Sequence, residues 1–401
     1  MSTDLLWQAF SYHARYFPSG GIFPIGLNPT KRVMYCNGGR KVWISVATIL
    51  TAFSNFVLVP AYLLTFRAFP PPGDNYSVTL LHVAFGIIVH SFTIVIYIFI
   101  WLYHSDTVKG FNNIVGMEAV VKSEFFSSSK RLKDAKIHSD LPGQLISKFV
   151  LFTSGFQYVA ALFVVLTNVD PLYFLLTNFF PGDTPLSLIS YVIRIPVVIL
   201  SSFEFVRIVT LLLMYFTIQL QVISSVVDQF HSIRGRMILP WGNVRLRALY
   251  VGLGIAIEFS SGVQGPTTAA LMALSQMLAA ICIIATIRMR GVIPMPLYLI
   301  FPTIAVFVPI LVLMLLPRAS NCYDKSVILL LSWRDVTSWD CARKGGMCES
   351  RARKKATGAL RPYRVYASMA GVKLYMMKRS TKATFLHSCM DATVTGFFTF
   401  Q

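Results

Sequence analysis

Two stretches, Val42 to Phe66 and Thr79 to Tyr103, each run for 25 residues without Asp, Glu, Lys or Arg. At 1.5 Å per residue, a helix of that length exceeds the roughly 30 Å hydrocarbon core of a bilayer. A backbone in that core must satisfy its own N–H and C=O groups, so a crossing segment of this kind is helical. Leu145 to Thr167 repeats the pattern with a single charge, Lys148, near its start, where a long aliphatic stem can lift the ammonium into the headgroups. Another run starts near Leu186 and stays largely apolar to Val222. It is too long for one crossing, and Ile218, Val222, Val226 and Phe230 continue at i, i+4 spacing, so the helix is expected to project into the cytoplasm. Ala248 to Val263 is apolar but interrupted by Glu258 and glycines, and Pro266 to Ile287 is the cleaner span.

The predicted fold is all-α, a multi-pass transmembrane helical bundle over residues 42–316. Its spans are expected near 42–66, 79–103, 145–167, 188–216, 266–287 and 295–316. A short seventh pass is expected at 383–401, only about 19 residues long and barely sufficient to cross. Residues 1–41 and the basic stretch 317–382 are expected to lie outside the membrane on the cytoplasmic side. Leu5 to Phe17 mixes aromatic and polar residues in a way that suits a short helix at the interface. The first apolar run is too long for a signal peptide and is expected to remain as the first helix.

Composition enters in deciding what the charge means. Hydrophobic residues make up 55% of the chain, and the net charge is +19. In a soluble protein that charge would suggest nucleic acid; here Lys and Arg flank apolar runs, which points to the lipid bilayer and its anionic headgroups as partner and to no nucleic acid. Their order sets the topology, because basic residues are retained inside during insertion. Arg15, Lys31, Arg32, Arg40 and Lys41 precede the first span, Lys109 to Lys136 separate the second and third, and Arg234 to Arg247 separate the fourth and fifth. Fifteen Lys and Arg fall between Arg318 and Lys382. The alternate loops hold only Arg67, then none from Asn168 to Pro185, then Arg288 and Arg290. The N-terminus is therefore expected in the cytoplasm. The sequon Asn75-Tyr76-Ser77 falls in the first outside loop as a candidate glycosylation site.

Six cysteines (Cys36, Cys282, Cys322, Cys341, Cys348, Cys389) show no metal-ligand spacing and are expected as reduced thiols. No GxSxG, Walker A, HExxH or dinucleotide motif is present, so no cofactor and no enzyme activity are expected. His82 and His90 in the second run have no carboxylate in the same run, which favours neutral, hydrogen-bonded imidazoles over proton relays. Glu204 and Arg207 are three residues apart on one helical face and are expected to pair within the membrane, either as a structural clamp or as a coupling pair. Arg194, nearer the outer end, is expected to snorkel. In the last segment Thr384, His387, Ser388, Asp391 and Thr395 recur near i, i+3, i+4 spacing, so one face is suited to lining a pore; a tail that does not insert is the competing reading.

Ala359-Leu-Arg-Pro-Tyr-Arg-Val-Tyr-Ala and Lys378-Arg-Ser-Thr-Lys-Ala-Thr-Phe385, followed by the final helix, resemble the basic, proline-containing approach and last helix of the arthropod gustatory and odorant receptor superfamily. Trp333 and Trp339 suit its cytoplasmic segment, and the layout of seven passes with the N-terminus inside is similar. Gustatory members end in Thr-Tyr, five apolar residues and Gln-Phe. Here Thr384-Phe385 and Asp391-Ala392 stand at those offsets, so one position of four is kept. The resemblance implies a homo- or heterotetrameric ligand-gated cation channel in the plasma membrane that senses small molecules, with a pocket in the outer halves of the helices, a cytoplasmic anchor, and a pore made by the last helix. A membrane transporter or a structural multi-pass protein with a cytoplasmic C-terminal tail is the alternative. A G-protein-coupled receptor fits less well, since its N-terminus lies outside and no Asp-Arg-Tyr or Asn-Pro-x-x-Tyr signature is present.

Overall fold

The computed structural model describes residues 4–18, 23–39, 42–65, 76–126, 141–168, 170–179, 186–233, 240–288, 290–291, 295, 297–344, 347–369 and 372–399. Among these residues six helices are long and apolar enough to cross a membrane. The first crossing is built from α2 (Val42–Phe53) and α3 (Val59–Thr65), joined by a π-helical turn at Ser54–Leu58. Pro60 has no N–H to give to the carbonyl four residues back, and just before it the ladder slips, so that the Val59 N–H reaches the Ser54 carbonyl. The second is α4 (Tyr76–Phe126), which bends at Tyr103 (φ −114°, ψ 16°) and continues beyond it as a charged helix. Then come α5 (Leu141–Leu166), the short α6 (Pro171–Phe179), α7 (Leu186–Ser232), α8 (Pro240–Arg288) and α9 (Ile300–Lys344). The sixth crossing does not begin as a helix at Met295: a 3-10 turn at Leu297–Leu299 precedes it.

At 1.5 Å per residue the 47 residues of α7 extend for about 70 Å, more than twice the hydrocarbon thickness. It is also the central helix: 56% of its most apolar window is buried, against 17% for α9, whose Val306 and Ile310 face outward as lipid-facing residues do. Beyond the most apolar stretches, α4, α7, α8 and α9 continue together within the main core. Phe230, Tyr250, Trp333 and Tyr363 meet there, with ring centroids 4.4–6.4 Å apart. Tyr250 donates to the Arg361 carbonyl at 2.9 Å, and Tyr363 donates to the Tyr250 carbonyl at 2.7 Å. Burial holds the Tyr363 phenol well above its ordinary pKa, with Tyr250 adding to the effect, so Tyr363 keeps its proton to donate through the neutral range. The remaining elements are α10 (Met347–Gly358), the antiparallel hairpin of β3 (Tyr366–Met369) and β4 (Val372–Met376), and α11 (Thr381–Thr399).

The N-terminal segment is structured by its contacts with the bundle. In α1 (Asp4–Tyr16), Leu6, Trp7, Phe10 and His13 share one face, and all are buried. That face packs on α5 and α7 rather than lying free at the bilayer interface. Phe10 stacks on Phe111 of α4, and Phe17 meets Phe203 of α7. Burying a side chain of this size stabilises by about 1.5–3 kcal/mol. The hairpin of β1 (Ile25–Asn28) and β2 (Val33–Cys36) follows, and Asn112 of α4 holds it by both ends of its amide. The Met34 N–H donates to Asn112 Oδ1 at 2.9 Å, and Asn112 Nδ2 donates to the Met34 carbonyl at 2.8 Å.

Candidate functional site

Between α4, α5, α7, α8 and α9 lies a cavity of about 460 Å³. Phe85, Phe149, Phe205 and Phe307 contribute its aromatic walls, and Val209 and Leu274 fill between them. Phe149 and Phe307 stack at 4.9 Å, joining α5 to α9. Among the described residues three lining positions are polar, Thr153, Ser275 and Thr303, and each hydroxyl donates to a backbone carbonyl three or four residues earlier, at 2.8, 2.9 and 2.7 Å. Among the described residues no charged side chain lines the cavity. A charged guest would lose its hydration without a partner, whereas a neutral, largely apolar molecule would lose little. The volume lies within the range of small-molecule pockets, about 300–1,000 Å³. The sequence reading singled out none of these residues. A partial signal was available, because Phe149, Phe152 and Phe156 recur at helical spacing on α5 and all three line the cavity.

The structure brings Glu204 and Arg207 together and adds partners that spacing does not reveal. Arg207 Nη2 donates to Glu204 Oε2, and also to Ser45 Oγ of α2 at 3.0 Å. The guanidinium lies 4.3 Å from the ring centroid of Phe23, and His13 Nε2 is 3.3 Å from the Arg207 carbonyl. The pair therefore joins α2, α7 and the N-terminal segment. His13 lies outside the crossings; burial, with the Arg207 charge adding to it and the Arg207 carbonyl opposing, lowers its pKa to about 4. The imidazole is neutral at physiological pH.

Arg194 does not snorkel. It is 1% exposed, and its Nη2 and Nε donate to Asp170 at 2.5–3.2 Å. It also donates to the Val165 carbonyl at 2.9 Å and lies over the rings of Tyr173 and Tyr191. A carboxylate 24 residues earlier neutralises it in place, so reaching for the headgroups would gain nothing. Asp170 also accepts from the Tyr173 N–H at 3.0 Å and so caps α6. His90 is buried and stacks on Phe56 at 4.0 Å, and no ion pair involving it is present among the described residues. Asn75 and the side chain of His82 lie outside the described residues.

Helix α11 packs on α8 and α9 through a narrow stripe. Phe385 and Cys389 are buried, and Gly396 lies so close to Ile284 that a Cβ would come within 2.6 Å of its Cδ1. Arg288 of α8 donates to the Phe397 carbonyl at 2.7 Å and lies over the Phe397 ring, placing a cation at the negative end of the helix. Thr384, His387, Asp391 and Thr395 are exposed, and Ser388 is half-buried at the edge of the stripe. His387 Nε2 and Asp391 Oδ2 are 3.4 Å apart. Exposed Leu386, Met390 and Val394 flank this polar face.

No protein-family model matches the chain, and no curated protein matches it. Among solved structures it is similar to the insect olfactory receptor OR5 from Machilis hrabei, at 12% sequence identity and a TM-score of 0.57, over 97% of this chain and 96% of that one. The likeness runs from end to end, and the fold of this chain is that of an insect olfactory receptor.

Proposed function

We propose that this chain is a divergent member of the gustatory and odorant receptor superfamily and forms a subunit of a ligand-gated cation channel in the plasma membrane. The observation that carries the proposal is the end-to-end likeness in fold to an olfactory receptor. Two features support it. The apolar cavity suits neutral small molecules, and α11 exposes a polar face that is costly against lipid but favourable against water. Copies of the chain around a symmetry axis, four in the receptor-like assembly, would bring the Asp391 carboxylates together around a water-filled path and attract cations. The Lys and Arg pattern supports an arrangement with the N-terminus and residues 317–382 in the cytoplasm and the end of α11 outside.

An epitope tag placed after Gln401, read in intact cells while currents are recorded during exposure to neutral apolar compounds, tests this function. The expected result is an accessible tag and a cation current evoked by at least one compound. A tag reached only after permeabilisation, with substrate uptake in place of current, would establish the transporter alternative instead.

A further inference from the structure

A second cavity, of about 430 Å³, opens between α8 and the segment that runs from Ala359 into the β3–β4 hairpin. Unlike the first, it is lined by charged groups: Arg361, Arg364, Lys373 and one carboxylate, Glu258. The wall is rigid. Tyr250 and Tyr363 stack at 4.4 Å and are cross-bonded through the Tyr250 and Arg361 carbonyls. The cations are arrayed around Tyr366: Arg364 Nη1 donates to its hydroxyl at 3.2 Å, and Lys373 Nζ lies 4.8 Å from its ring centroid.

Neighbouring cations are neutralised, Arg379 by Asp324 and Lys325 by Asp228. Among the described residues, none of Arg361, Arg364 and Lys373 takes part in an ion pair. Three like charges around one groove repel one another and favour an occupant with several negative charges. The groove is also half apolar. Val251 and Ile255 lie in its lining, and Phe259 continues the same i, i+4 row along α8. With Phe259 begins a stretch of 29 residues without Asp, Glu, Lys or Arg that ends at Ile287 and contains the fifth span, so this row leads from the groove towards that crossing.

We propose that this groove binds the headgroup of a multiply phosphorylated phospholipid. Arg361, Arg364 and Lys373 hold the phosphates, and an acyl chain lies along Val251, Ile255 and Phe259. The apolar row and its continuation towards the fifth crossing favour a lipid over a soluble phosphate. The site rests on the cytoplasmic placement of residues 317–382 proposed above, and not on ion conduction.

The test is native mass spectrometry of the full chain in detergent with dioctanoyl phosphatidylinositol bisphosphate, where both faces are accessible and binding does not depend on topology. Saturable binding is expected, weakened about fivefold for each cation removed in R361Q and R364Q, and strengthened in E258Q. Removing three positive charges from α10 in R351Q/K354Q/K355Q should leave it unchanged. Equal weakening by the α10 variant would overturn the groove in favour of diffuse attraction, as would weaker binding in E258Q. Equally tight binding of inositol trisphosphate would overturn the lipid assignment. Topology is read separately by the tag after Gln401, so the two failures are distinguishable.

Discussion

The buried charges of this protein act as fasteners, and their removal has a sign that geometry fixes. Replacing Arg207 with Ala leaves the buried Glu204 carboxylate without its cation, which is expected to cost about 3–5 kcal/mol. Replacing both, as Glu204→Leu with Arg207→Met, should recover most of that loss in thermal melts of purified protein if the pair is a clamp. Stability unchanged by Arg207→Ala would rule the clamp out. His13 adds a pH dependence. Its folded-state pKa is about 4 against an ordinary value near 6.5, so the unfolded chain binds more protons between those limits. The stability His13 contributes is therefore complete above pH 6.5, falls as pH drops towards 4, and levels off below. His13→Gln, which keeps a donor for the Arg207 carbonyl, should flatten that part of the melting-temperature profile. Of these contacts, only the Glu204–Arg207 pair was legible in the sequence, because three residues on a helix are neighbours whatever the fold does.

Helices in this chain are defined by what covers them. On α8, Ser260 lies so close to Gly110 of α4 that a Cβ at Gly110 would sit 2.9 Å from the Ser260 backbone nitrogen. Backbone cannot swing aside as a side-chain tip can, so Gly110→Ala should force α4 and α8 apart at a cost of about 1–3 kcal/mol, read as a lower melting temperature. For α11 the expected readout is conduction. Asp391→Asn removes one negative charge per subunit from the exposed face and should reduce divalent relative to monovalent permeability, measured from reversal potentials. Identical reversal potentials would take Asp391 out of the conduction path. Periodicity could assign Thr384, His387, Ser388, Asp391 and Thr395 to one side of this helix. It could not say that the opposite stripe, Phe385 and Cys389, would be covered by α8 and α9, since those helices are distant in the chain.

At the scale of the whole molecule, the bundle encloses a cavity that five helices must assemble before it exists. Val209→Phe adds volume to its wall and should abolish or right-shift responses to apolar compounds while surface expression is retained; an unchanged dose–response would exclude the cavity as the ligand site. The sequence alone determined that the chain is a helical membrane bundle with six crossings, because the length of a charge-free run is a local quantity that a bilayer of fixed thickness reads directly. It also carried the overrun of α7, written in the row from Ile218 to Phe230. The tertiary structure alone decided that Arg194 would find Asp170, that α1 would cover the bundle, and that Arg361, Arg364 and Lys373 would share a groove with Glu258. Each of these joins residues far apart in the chain, and such contacts depend on which helix faces pack, a choice that hydrophobic periodicity constrains but does not make.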